Sequence, residues 1–296
     1  MSRPLLLLLI ANILGGLTYP LQKVALEGLP PATVSLLRTV LGLALMAGWL
    51  AVRRQPLWPF PRAEARLLAL AGLVGVGLPT LLGAEGVARS TATIGSLLSL
   101  LECVSIVLFA RLLIGERLGA RRGAGLALGL AGAVLVVAEG GGAGRDLVRG
   151  EHLAGNVLLA LSGFLPGIYT PLLKPVAARR DATAMAFAAL AFSLLLYAPA
   201  ALIEAPRWRA GPGLGTALLC TAALGVLATF LGTVLWTAAI RHLPANAFAP
   251  LLLVQPVVGA GAGALFLGER LTVQAAIGGV VVAAGVVVSL GRESTA

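Results

Sequence analysis

Charge is what this chain has least of. Only 11% of its 296 residues are Asp, Glu, Lys or Arg, less than half the share that keeps a soluble domain's surface wet. That deficit excludes a water-soluble fold, and the mean hydropathy of +0.97 agrees. Histidine is almost missing: His152 and His242 are the whole supply, both in expected loops. Cysteine is equally scarce, with Cys103 and Cys220 inside apolar runs. Such a set builds neither a disulfide framework nor a metal centre, and no cofactor is expected. The Gly-x-x-x-x-Gly-Lys-Ser/Thr loop is absent, which excludes nucleotide-driven work through a P-loop. Acidic residues number 12 against 22 basic ones, leaving a net charge of +10. In a soluble protein that excess would suggest nucleic acid. Here the basic residues sit in short loops between apolar runs, where the positive-inside rule places them, so the expected partner is the lipid bilayer.

What the chain does have is apolar length. Runs and their breakers predict ten spans, at 4–26, 33–52, 66–86, 92–114, 119–138, 153–175, 183–203, 214–237, 245–267 and 271–290. Each approaches the ~20 residues that cross a bilayer as helix, the form that satisfies its own backbone in lipid. The apolar start continues through residues 11–26 with no clear cleavage site, so it is read as a first span and not as a signal peptide. With the N-terminus in the cytoplasm, fourteen Lys and Arg fall inside, six outside, and Lys23 and Arg38 within spans. That bias places both termini in the cytoplasm of a plasma (inner) membrane protein.

The chain also repeats itself. Gly115-Glu116-Arg117-Leu118 recurs as Gly268-Glu269-Arg270-Leu271, and Leu101-Glu102-Cys103-Val104 aligns without gaps to Val254-Gln255-Pro256-Val257. Residues 16–23 parallel 167–174, so that Gly16 meets Gly167, Pro20 meets Pro171 and Lys23 meets Lys174. The expected organisation is a first five-helix repeat over 1–138, a Gly-rich linker over 139–152, and a second five-helix repeat over 153–292. An odd number of spans inserts the second copy upside down. Inverted repeats are a transporter architecture, because two similar packings can exchange roles around a central site. The fold class expected is therefore all-α integral membrane, ten transmembrane helices as two inverted five-helix repeats.

Gly16 through Lys23, Arg38 early in the second span, Leu101-Glu102 and the Gly-Glu-Arg-Leu turn together resemble the EamA family of the drug/metabolite transporter superfamily. The resemblance covers essentially the whole chain, twice over. It implies a ten-helix carrier of small organic solutes, often an exporter of amino acids or related metabolites. Two positions depart from the family pattern: Gly15 stands where many members have Trp, and Cys103 where a Pro usually follows the Glu.

An ionisable group inside a span is costly and is a functional candidate by default. Glu102, near the middle of the fourth span, is the leading one. It is open to three readings: binding a substrate amine, exchanging a proton as coupling ion, or bonding a neighbouring helix. Gln255 holds the matched position in the second half without the charge. Tyr19, Tyr169 and Trp236 are candidate lining aromatics with a polar tip, and Asn12 and Ser99 are polar candidates for the same cavity. Lys23, Arg38 and Glu85 are expected at similar depth as a gate or ion-pair group, with Arg38 and Glu85 paired. Gly-Glu-Arg-Leu reads as a structural turn, its Gly ending one helix and its Glu favouring the start of the next. Gly125/Gly129 and Gly259/Gly263 have the spacing of close helix contacts, expected within one protomer. The leading reading is a secondary transporter working by alternating access. The other classes weighed are a non-transporting membrane scaffold and a membrane-embedded lipid-modifying enzyme, for which no nucleophile, base or metal cluster is visible.

Overall fold

The computed structural model describes residues 3–58, 60–115, 119–138, 149–208, 211, 213–240 and 252–290. Among them the chain runs as helix after helix: α1 (Arg3–Ala25), α2 (Pro31–Val52), α3 (Arg62–Arg89), α4 (Ala92–Ile114), α5 (Ala120–Val137), α6 (Glu151–Ala177), α7 (Ala182–Glu204), α8 (Leu214–Ala239), α9 (Val254–Leu267) and α10 (Val273–Leu290). Seven of these, α1 to α4 and α6 to α8, are long and apolar enough to cross a bilayer, and α5, α9 and α10 are shorter apolar helices. Large side chains left bare on the outside are apolar, such as Val52 (81% exposed) and Leu265 (82%). Water would not tolerate that surface and lipid requires it. This is a multi-pass membrane protein. Glu116, Arg117, Leu118, Arg241, His242 and residues 139–148 of the expected 139–152 linker lie outside the described residues, while its last four residues already belong to a helix, Arg149–Phe164.

The helix boundaries follow local chemistry. Pro30 and Pro61 immediately precede α2 and α3 in extended conformation, where a residue with no backbone N–H costs the helix no hydrogen bond. Asp181 caps α7 by accepting from the amides of Thr183 and Ala184. Gly115 and Gly268 close α4 and α9 at φ +68° and +64°, a left-handed turn that favours Gly because it has no Cβ.

The repeat recurs in irregularities. Both α3 and α8 wind into π-helix, at Ala71–Gly77 and Leu224–Gly232. α1 is interrupted at Leu17, and α6 carries a 3-10 turn at Leu165–Ile168. It recurs again in contacts between the halves. α2 packs on the π segment of α8, while α7 packs on the π segment of α3. At the first crossing a Cβ added to Gly225 would sit 2.9 Å from the Arg38 carbonyl oxygen, and at the second a Cβ on Gly72 would meet the Ala189 carbonyl oxygen. α1 meets α9 where Gly16 touches Gln255 and Val258, and α6 meets α4 where Gly167 touches Ser105. The most extensive pairing, α5 with α10, brings Gly132 against Gly278 and Gly285 against Gly125 and Gly129. Each half thus offers the other the same surfaces, as copies related by a two-fold do. The small-residue spacings serve packing within the chain: Gly259 approaches Ser96, and Gly263 approaches Thr93.

Candidate functional site

Arg38 and Glu102, the charged interior positions, can be placed by depth from one end of the bundle. The C-terminal end of α1 lies beside the turn between α3 and α4, because Lys23 Nζ donates to the carbonyls of Val87 (2.8 Å) and Ser90 (2.6 Å). α2 begins a short turn after α1, so α2 and α4 start at that same end. At 1.5 Å per residue, Tyr19, Arg38 and Glu102 lie about 9, 10 and 15 Å in from it.

Glu102 occupies the first turn of Leu101–Ile114, the inner segment of α4, just past a tightened turn at Ser99 and Leu100. Its side chain is accessible yet enclosed by protein. Among the described residues neither carboxylate oxygen accepts a hydrogen bond. Tyr19 lies within electrostatic range of both Glu102 and Arg38. Gly95 makes room for the Tyr19 ring, which a Cβ there would strike at 2.5 Å. Gln255, the matched residue of α9, lies over Gly15, where its amide would be 3.1 Å from an added Cβ. The Trp that many family members carry at Gly15 would therefore collide with Gln255 in this arrangement.

Arg38 is not paired with Glu85. Its Nε donates to Thr229 Oγ1 (3.2 Å) in the π segment of α8, and Tyr19 and Tyr197 are the ionisable groups that bear on it. Glu85 instead pairs with Arg89, one turn along the same helix (2.9 Å), at an exposed position. Rotation about the helix axis decides partners, and it turns Glu85 away from Arg38. Lys23 joins neither. It binds carbonyls at the C-terminal end of α3, where a cation complements the helix dipole.

The other candidates divide. Ser99 is half-buried and donates to Ser96 O at the tightened turn. Trp236 is half-buried near the end of α8, on the segment that packs against α1. Tyr169 packs beside Gly75 and the apolar cluster around Leu68 and Ala188. Asn12 is 1% exposed, its amide nitrogen bonded to Leu8 O of its own helix and its Oδ1 without a partner among the described residues, so it lies inside the packing. Tyr197, fully buried on α7 with its hydroxyl 3.4 Å from Val76 O, was not among the sequence candidates. A single Tyr in an otherwise apolar span was the available signal.

The Gly-Glu-Arg-Leu turn brings the largest surprise. Glu269 does not serve α10, the helix that follows it. Its carboxylate accepts from the amides of Ala92 and Thr93 (2.8 Å each) and from Thr93 Oγ1 (2.6 Å), capping α4 of the other half. The left-handed Gly268 turns the chain back toward that N-terminus. The α3–α4 turn is thus held by opposite charges: Lys23 on the outgoing carbonyls and Glu269 on the incoming amides. An apolar groove of about 370 Å³ between α4, α5 and α6 is lined by Leu101, Leu130, Val134 and Phe164 among others, all of them apolar side chains.

A multi-pass bundle of two repeats, cross-packed around an enclosed accessible carboxylate, defines a membrane carrier. The EamA-like transporter family model matches residues 2–138 and again 153–291: the chain belongs to that family, within the drug/metabolite transporter superfamily. It is 29% identical to a probable terminal-alkyne amino-acid exporter of Streptantibioticus cattleyicolor, over 100% of this chain and 97% of that protein. An uncharacterized transporter of Archaeoglobus fulgidus is 26% identical over 99% of both. A solved crystal structure shares the fold with TM-score 0.64 at 22% identity, covering 98% of this chain and 96% of that one.

Proposed function

We infer that this protein is a secondary transporter that exports amino acids or related small metabolites through the plasma membrane, by alternating access at a site between two inverted five-helix repeats. In this reading all ten helices span, residues 1–138 and 153–292 are the repeats, and both termini face the cytoplasm. The observation that carries it is Glu102: a carboxylate inside α4 that keeps accessible surface and accepts no hydrogen bond among the described residues. An interior charge with no structural partner is costly, and a passing cation or proton gives it a use. The name of the Streptantibioticus relative, an amino-acid exporter, supports the substrate class. The π segments of α3 and α8 support the mechanism, since π-helix inside α-helix recurs at functional positions and here it lines both crossings between the halves.

The test is flux. Purified protein in liposomes preloaded with mixed amino acids should release a subset of them faster than protein-free liposomes. The Glu102→Gln variant should lose transport, or its pH dependence, while keeping wild-type thermal stability. Unchanged flux in that variant at every pH would remove Glu102 from the mechanism, and lipid turnover without solute flux would replace the carrier reading altogether.

A further inference from the structure

Among the described residues the two longest helices without an irregular turn are α2 and α7, of 22 and 23 residues. They hold matched places in the repeat and pack extensively on each other across the halves. The end of α7 meets the start of α2, and there one side chain joins them. The carboxylate of Glu204, the last residue of α7, accepts from the amides of Ala32 (2.9 Å) and Thr33 (3.1 Å). Ala32 is 3% exposed, so water is a poor substitute for that acceptor.

The repeat shows why α2 borrows this cap. The register that sets Gly16 on Gly167 also sets Pro30 on Asp181 and Arg53 on Glu204. α7 caps itself through Asp181. α2 has Pro30 in that place, with no side-chain acceptor to offer. At the mirrored junction stands Arg53, whose guanidinium has donors and no acceptor and lies over the Trp49 ring of its own helix. Arg53 cannot make the bond that Glu204 makes.

Each helix of this pair rests on a π segment of the half it does not belong to. α2 sets the Arg38 carbonyl against Gly225 and gives Arg38 Nε to Thr229 Oγ1 (3.2 Å). α7 sets the Ala189 carbonyl against Gly72 and places Tyr197 Oη 3.4 Å from Val76 O. At each π segment a threonine hydroxyl donates back to its own helix, Thr229 to Leu224 O (3.3 Å) and Thr80 to Val76 O (2.8 Å). Such back-bonding bends helices, and side chains inserted in the ladder are a cause of kinks. α5 and α10 form a second stiff pair, bonded from Gln274 to Leu135 O (3.0 Å) and from Arg121 to Val288 O (3.2 Å). The stiff parts of the bundle are thus pairs drawn from both halves, and α3 and α8 are its bendable parts.

We propose that α2 and α7 move as a single body in the transport cycle, fastened by Glu204, and that α3 and α8 bend at the π segments on which this pair rests. The motion is against the α5–α10 pair. This rests on the transporter reading above and assigns its moving parts. Rocking one half against the other would break the Glu204 cap, leaving buried amides unpaired, and would open both glycine crossings. Moving the pair as a body preserves all three.

The test uses the full chain with Cys103 and Cys220 replaced by Ala, in liposomes preloaded with mixed amino acids. A disulfide between Gly77→Cys and Ser193→Cys, whose Cβ atoms would stand 3.2 Å apart, close to disulfide spacing, ties the halves together through α3 and α7. Oxidised and reduced protein should show equal flux. A bifunctional thiol reagent joining Thr33→Cys to Glu204→Cys replaces the lost carboxylate by a covalent link, and should raise flux above that of the unlinked protein. Either link stopping flux would overturn the proposal, because the halves then part at that point. Spin labels at exposed apolar positions avoid any buried change, so a poorly folding Gly77→Cys leaves this arm intact. Val52 and Leu202, exposed at opposite ends of the pair, should keep one separation of about 30 Å, at 1.5 Å per residue, with and without the mixed amino acids. The separation from Val52 to Val134, exposed on α5, should change when they are added. A shift within the pair, or a fixed distance to α5, would also overturn the proposal. If the parent with neither link releases no amino acid, the transporter reading and the proposal fall together; if it does and a link stops it, the proposal alone falls.

Discussion

Replacing Glu269 by Ala removes one carboxylate and three hydrogen bonds, from the Ala92 and Thr93 amides and the Thr93 hydroxyl. Loss of a helix N-cap costs about 0.5–2 kcal/mol, and each buried donor left unpaired about 1–3 kcal/mol. Ala92 is 0% and Thr93 3% exposed, so water is a poor substitute. Thr91, whose hydroxyl still accepts from the Ile94 amide, limits the damage. The net expectation is about 2–4 kcal/mol, lost locally, with about half of that for Glu269→Gln, which keeps one acceptor. Hydrogen exchange reads it directly: peptides spanning residues 90–98 should exchange roughly 30- to several-hundred-fold faster in the Ala variant, with protection elsewhere in α2 and α7 unchanged. Wild-type protection at 90–98 in a monodisperse Glu269→Ala protein would refute the clamp. Faster exchange only within α10 would restore the older expectation that Glu269 serves the helix following it.

Two further predictions concern stability in detergent, each read by thermal unfolding. Gly72→Ala should destabilise by about 1–3 kcal/mol, as overpacking does, because its Cβ would meet the Ala189 carbonyl. Gly48→Ala, within α-helical α2 with nothing within 4 Å, should stabilise by up to about 1 kcal/mol; equal shifts would deny the crossing. Lys23→Met should lower stability by about 1.5–3 kcal/mol through its two charge-assisted bonds to Val87 and Ser90. No change would mean that those carbonyls find water.

The membrane class and the repeat were legible in the sequence for physical reasons. Apolar length is written directly in composition, and a turn such as Gly-Glu-Arg-Leu survives duplication because the left-handed glycine leaves few alternatives. Partners across the bundle were not legible. Depth can be counted along a helix, which put Arg38 and Glu85 level, but azimuth depends on packing, and it gave Glu85 to Arg89. Glu269 looked local because the nearest helix in sequence was α10; its true partner stands in the other half. The π segments have no one-dimensional signature, since they arise where Gly72 and Gly225 admit a neighbouring backbone.

The exchange of crossings has a further consequence. α2 finds its seat on α8 and α7 on α3, so the seam in the sequence between residues 138 and 153 is not a seam in the folded object. Either half synthesised alone would present glycine-lined notches with no backbone to fill them, and should be captured by any copy able to fill them. Co-expressed as two separate polypeptides, the halves should assemble with each other, and the covalent link would prove dispensable for architecture.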